Sequence, residues 1–178
     1  MRLRTKLSAQ FSLAAVLVLL TVSLVAGSEW VPKLEDRITD TANVLSASDR
    51  RRLVEILARY EHETFHQIAV LTIPSLRGES IESFSLRVAN SWAIGHKDFN
   101  DGILVTLAMK ERKIRIELGL GMEKFITNAT AQSIIETSMV PAFRKNDYAG
   151  GLESGLKQLM KEARKLVINP ELKRSNEQ

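Results

Sequence analysis

Cysteine is absent from the whole chain of 178 residues. That absence excludes a disulfide framework and thiolate chemistry, so apolar packing alone must hold the fold. Other signatures are missing too. There is no internal repeat or low-complexity tract, and no serine in a G-x-S-x-G elbow. Gly119-Leu120-Gly121 lacks the third glycine of a dinucleotide loop, and no Walker lysine follows it. A surplus of positive charge is also missing from most of the chain. Residues 1–28 carry three of the 25 basic residues and none of the 21 acidic ones, so the remainder is left with about +1. The high isoelectric point belongs largely to the leader, which excludes a nucleic-acid footprint.

That leader has the plan of a secretory signal peptide. Arg2, Arg4 and Lys6 precede an apolar run from Phe11 to Val25, and Ala26-Gly27-Ser28 offers small residues for cleavage. The run is shorter than the roughly 20 residues a spanning helix needs, so cleavage is favoured over an uncleaved N-terminal anchor. Export to a periplasm or lumen is the expectation. Residues 29–168 suffice for one domain with one core. The tail, residues 169–178, is polar and expected to be disordered.

Glu29 to Thr41 reads as extended and polar. Ser46, with Asp49 three residues on, announces a helix whose buried stripe is Leu53, Ile56, Leu57 and Tyr60. Gln67 to Ile73 is a nearly continuous apolar run ended by Pro74, the pattern of a strand covered on both faces. Ser80 caps a second helix with Ile81, Phe84, Val88 and Trp92 on one stripe, and Gly95 stands where a left-handed terminator is expected. Trp92 then packs at the core or its rim. Gly102 to Met109 is a central strand. Lys113 to Leu118 alternates apolar with charged residues, which predicts a strand with one wet face nearer an edge. Helices follow over Ala131 to Met139, stopped by Pro141, and over Tyr148 to Leu166. This order predicts an α/β fold, a three-layer α/β/α sandwich on a small mixed sheet.

His62-Glu63-Thr64-Phe65-His66 matches the zinc peptidase string H-E-x-x-H. Its chemistry needs both histidines on one continuing helix, yet only Gln67 separates His66 from a strand, and the later His96 sits in a loop. The string therefore reads as a helix end, with His62 favourable to the helix dipole. The acidic loops are the stronger candidate. Asp98, Asn100 and Asp101 precede the central strand, and Glu123 follows the glycines after the next one. A hairpin would bring the Asp101 and Glu123 ends side by side, and Asp40 could reach the same edge from its extended segment. Asp40, Asp101, Glu123 and the amide of Asn100 would suit calcium or magnesium. Ordinary turn chemistry explains Asn-Asp-Gly equally well, and both readings stand.

Leu34 with Thr39-Asp40, Gln67-Ile68-Ala69-Val70, Trp92-Ala93-Ile94-Gly95, Asn100-Asp101-Gly102, Gly119-Leu120-Gly121-Met122-Glu123, and Pro141-Ala142-Phe143 with Asp147-Tyr148 occur in this order. Together they resemble the TPM domain family of thylakoid lumen, photosystem-repair and nematode receptor-modulator proteins. The resemblance covers about Val31 to Lys165. It implies an α/β/α domain outside the cytoplasm, working beside a membrane as an accessory module in assembly, repair or regulation of a membrane protein complex. It also implies divalent cation binding, with Asp40, Asp101 and Glu123 on the family's acidic positions, and in the thylakoid branch an acid phosphatase activity. The expected partner is a membrane protein complex, and the expected state a monomer. A metal-assisted phosphomonoesterase is the alternative, in which Lys97 or Lys124 would have to neutralise the phosphoryl group. Many bacterial relatives carry a spanning segment or glycine-rich tail after the domain. Here a polar tail stands instead, so C-terminal tethering is not expected.

Overall fold

The computed structural model describes residues 30–165. The signal peptide and the polar tail read from the sequence lie outside the described residues. The chain divides into two units, Met1–Trp30 and Val31–Gln178, and every element below belongs to the second.

Four strands form one mixed sheet in the order β1-β2-β3-β4. β1 (Ile38–Asp40), β2 (Ile68–Ile73) and β3 (Ile103–Ala108) run parallel, and β4 (Lys113–Leu118) returns antiparallel to β3. β2 and β3 are buried along their whole length, as their continuous apolar runs require. Side chains alternate between two faces. One face presents Ile38, Ile68, Val70, Ile103, Val105, Ile116 and Leu118 to the main core. Helices α1 (Ala47–Thr64) and α5 (Tyr148–Ala163) cover it with Leu53, Leu57, Tyr60, Leu152, Leu156 and Leu159. Helix α2 (Ile81–Trp92) packs Phe84, Ser85 and Val88 on the opposite face, against β3 and β4. The result is the expected three-layer α/β/α arrangement.

Local chemistry explains the helix ends. Ser46 accepts the Asp49 N–H at 3.1 Å, and Ser80 accepts that of Ser83 at 3.1 Å. α2 stops at Ala93, left-handed with φ 48°, two residues before the glycine expected to end it. Pro141 does not stop a helix either. α3 (Asn128–Ile134) continues through a π-turn (Ile135–Met139) into the short α4 (Val140–Phe143), in whose first turn Pro141 sits. A proline lacks an N–H and crowds the carbonyl four residues back, and a widened turn just before it accommodates both faults. Among the described residues, no helix is long and apolar enough to cross a membrane.

Candidate functional site

Helix α1 ends because Phe65 turns left-handed, with φ 66° and its N–H on the Glu61 carbonyl at 2.7 Å. The chain then swings inward, so His66 is fully buried just ahead of β2 while His62 stays exposed on the helix. The two histidines therefore do not share a helical face, and the H-E-x-x-H string carries no zinc peptidase geometry. His66 is nonetheless more than a helix end.

β2 and β3 pair with Ile68 opposite Ile103. Stepping back two residues on each strand sets His66 beside Asp101. His66 Nδ1 lies 3.2 Å from Asp101 Oδ2, with both side chains fully buried. The His96 ring, 24% exposed, brings its Nδ1 to 3.2 Å from the same carboxylate, and the His96 N–H donates to Oδ1 at 2.6 Å. Burial opposes the charge on Asp101. The bond from His66 and those from the amide and ring of His96 outweigh it, holding the carboxyl below its usual pKa. An ionised carboxylate only accepts, so each imidazole presents Nδ1–H to it.

The surrounding polar groups brace this centre. Gln67 Nε2 donates to Glu61 at 3.0 Å, and Gln67 Oε1 accepts the Gly95 N–H at 2.8 Å. Glu61 in turn pairs with Arg37 at 2.8 Å. The start of β2, the end of α1, the segment before β1 and the loop after α2 thereby form one connected frame.

The two glycine-bearing loops meet at this same sheet end. Gly121 N–H donates to the Asn100 carbonyl at 3.0 Å and Gly119 N–H to that of Gly102 at 2.8 Å. A Cβ on Gly121 would run into the Phe99 carbonyl oxygen, so only glycine permits the approach.

The structure distributes the four residues read as cation ligands unevenly. Asp101 and Glu123 come to one end of the sheet, as the hairpin implied. Asn100, immediately before Asp101, joins the Glu123 loop through its carbonyl, its side chain exposed. Asp40 is separated from them. It pairs with Thr72, near the far end of β2, four steps of about 3.3 Å along the strand from Ile68. Its carboxylate accepts the N–H groups of Val44 and Leu45 at 3.2 and 2.9 Å and the Thr72 hydroxyl, a loop-closing role. Asp101 is committed to its histidines, so replacing it disturbs the core as well as any ligand set. Asp98, Asn100 and Glu123 remain exposed. These are oxygen donors of the kind a hard cation takes. Among the described residues, however, no three histidine, aspartate or glutamate side chains converge on one point suited to a metal ion. A cation would have to draw exposed donors and water together.

No curated protein matches the sequence. Solved structures do. The N-terminal domain of a protein from P. gingivalis is 29% identical, with a TM-score of 0.66 over 74% of this chain and 87% of that one. The N-terminal domain of the cg2496 protein from Corynebacterium glutamicum shares the fold at 18% identity and a TM-score of 0.57, covering 76% of this chain and 89% of its own. The BA42 protein from the psychrophilic bacterium Bizionia argentinensis does so at 15% identity and 0.60, over 68% and 82%. The sequence profile of the TPM domain matches residues 38–162, from β1 to the end of α5. With that span matched and the fold repeated, the chain belongs to the TPM domain family.

Proposed function

We propose that this TPM domain is an exported accessory module supporting the assembly, repair or regulation of a membrane protein complex, and that its loop end takes calcium or magnesium. Export rests on the composition of residues 1–28. The observation carrying the cation reading is the backbone bonding between the 96–102 and 119–123 loops, which gives the exposed oxygens of Asp98, Asn100 and Glu123 a rigid base. Two exposed carboxylates and an amide correspond to the weak end of calcium sites, a Kd of about 10⁻⁴ to 10⁻³ M. Leu120, 70% exposed, stands on the same loops and offers an apolar tip to a partner.

An amide chemical-shift titration with calcium and then magnesium tests the ion. Shifts confined to these loops and abolished in Glu123→Gln are expected; silence at about 10 mM, ten times the weaker Kd above, rejects the cation. Photo-crosslinking from position 120 in native membranes tests the partner. Capture of an integral membrane protein is expected, and capture of none rejects that role.

One observation favours the phosphatase reading. Asp101 orients His96 with Nδ1–H inward and the Nε2 lone pair on the far side of a partly exposed ring, an arrangement suited to taking the proton of an attacking water. Lys97 and Lys124 are exposed on the two loops. Hydrolysis of p-nitrophenyl phosphate should then fall about a hundredfold or more in His96→Gln, the lower end of the effect of losing a general base. A rate equal to the blank, or unchanged in the variant, eliminates this chemistry.

A further inference from the structure

The sheet end opposite the acidic loops holds an open cavity of about 460 Å³, lined by the β3–β4 turn and the corner between α4 and α5. That size falls within the usual range of small-molecule sites. Its walls are apolar where Leu107, Ile114, Val140 and Phe143 contribute, and the Phe143 and Tyr148 rings lie 5.5 Å apart. Arg112 and Arg144 line it as well.

These arginines have no acid to answer. Among the described residues neither forms an ion pair, and no lining residue is acidic. The acids beside them in sequence are engaged elsewhere. Glu111 accepts from the Ser75 hydroxyl at 2.8 Å and the Leu76 N–H at 3.1 Å, across the turn, and Asp147 caps the Gly150 N–H at 2.8 Å. Lys110 and Lys145 flank the arginines and are exposed. The cavity therefore joins an apolar, aromatic wall to an uncompensated pair of guanidinium groups.

We propose that this cavity binds a small organic carboxylate with an aromatic or branched apolar body. Arg112 and Arg144 receive the carboxylate, whose planar pair of oxygens matches the guanidinium fork. The body lies against Phe143, Tyr148 and Val140. The site shares no residue with the loop end, so either can fail without the other.

The test is an amide-shift titration of the protein with phenylacetate, using phenylacetamide as its neutral isostere. Phenylacetate should shift the amides of Arg112, Phe143, Arg144 and Tyr148, with a Kd of about 1 mM expected for so small a ligand. Phenylacetamide should bind about tenfold more weakly, the usual effect of losing a charge-assisted hydrogen bond. Arg112→Gln and Arg144→Gln change exposed side chains and should keep the wild-type spectrum while weakening phenylacetate about tenfold. N-acetylphenylalanine distinguishes the source: tighter binding than phenylacetate assigns the site to a peptide chain end, weaker binding to a free acid. Equal shifts from the acid and its amide, no shift at about 50 mM, fifty times the expected Kd, or undiminished binding in both variants overturns the proposal.

Discussion

Asp101→Asn is the change whose consequence follows most directly from the structure. The side chain keeps its shape but loses its charge, and its new NH₂ group must face donors. At present the two carboxylate oxygens accept from His66 Nδ1, the His96 amide and His96 Nδ1, all within 3.2 Å. Each of these is a charge-assisted hydrogen bond to a fully buried carboxylate. One surviving oxygen can satisfy the His96 amide, which leaves at least one imidazole N–H opposed by an amide N–H. The expected loss is about 3 kcal/mol at pH 7, the upper end for hydrogen bonds to a charged group whose buried partner is left unsatisfied. For a domain of this size that corresponds to a fall in Tm of about 10 °C. The carboxyl's folded pKa is depressed, so on acidification the unfolded chain takes up the proton first. The contribution is complete above the ordinary aspartate value of about 4 and is lost as pH falls through the folded value. Urea unfolding followed by far-ultraviolet circular dichroism should therefore show the wild type and variant far apart at pH 7 and converging towards pH 3. A gap below about 0.5 kcal/mol at pH 7, the scale of an ordinary surface substitution, would refute the reasoning. So would a gap of the same size at both pH values.

Asp40→Asn should cost about 1–2 kcal/mol by weakening the bonds that close the loop after β1, and should leave any calcium affinity unchanged. A parallel loss of calcium binding would return Asp40 to the ligand set. Gly121→Ala forces a Cβ against the Phe99 carbonyl and should destabilise by about 2–3 kcal/mol, measured by thermal melting, with amide shifts spreading through residues 96–102. Thr106→Val should raise Tm by about 3–5 °C, because the Thr106 hydroxyl is buried without a hydrogen bond among the described residues; a lowered Tm would show that the hydroxyl has a partner.

Much of the fold was legible because its signals are local. Ser46 and Ser80 mark helix starts by side-chain capping, and the runs Ile68–Ile73 and Ile103–Ala108 are apolar throughout, as strands covered on both faces must be. β1 was harder to read. Its three residues pair only with β2, so tertiary contact decides that part of the extended Glu29–Thr41 segment is a strand. Pro141 misled because a π-turn relieves it, which depends on packing against α5. At the candidate site, the meeting of the Asp101 and Glu123 loops was readable from the hairpin. The role of His66 was not, because spacing along the chain does not reveal parallel register. A signal did exist: with the two buried strands aligned end to end, His66 and Asp101 occupy equivalent positions before them. Asp40 was drawn to the wrong end of the sheet for the same reason, since an acid in an extended segment carries no mark of its direction.

The His66–Asp101 contact also bears on how this chain avoids misfolding. β2 and β3 are each six-residue strands composed almost wholly of interchangeable aliphatic side chains. Strands of that composition are poorly protected against pairing one step out of place. A slip of β3 by one residue along β2 would set Asp101 opposite Gln67 and withdraw it from His66, stranding a carboxylate in a dry interior at a cost of several kcal/mol. The buried ion thus acts as an indexing pin, ruling out alternatives that hydrophobicity alone would tolerate. It does so at the one sheet end where both glycine loops must also arrive in step.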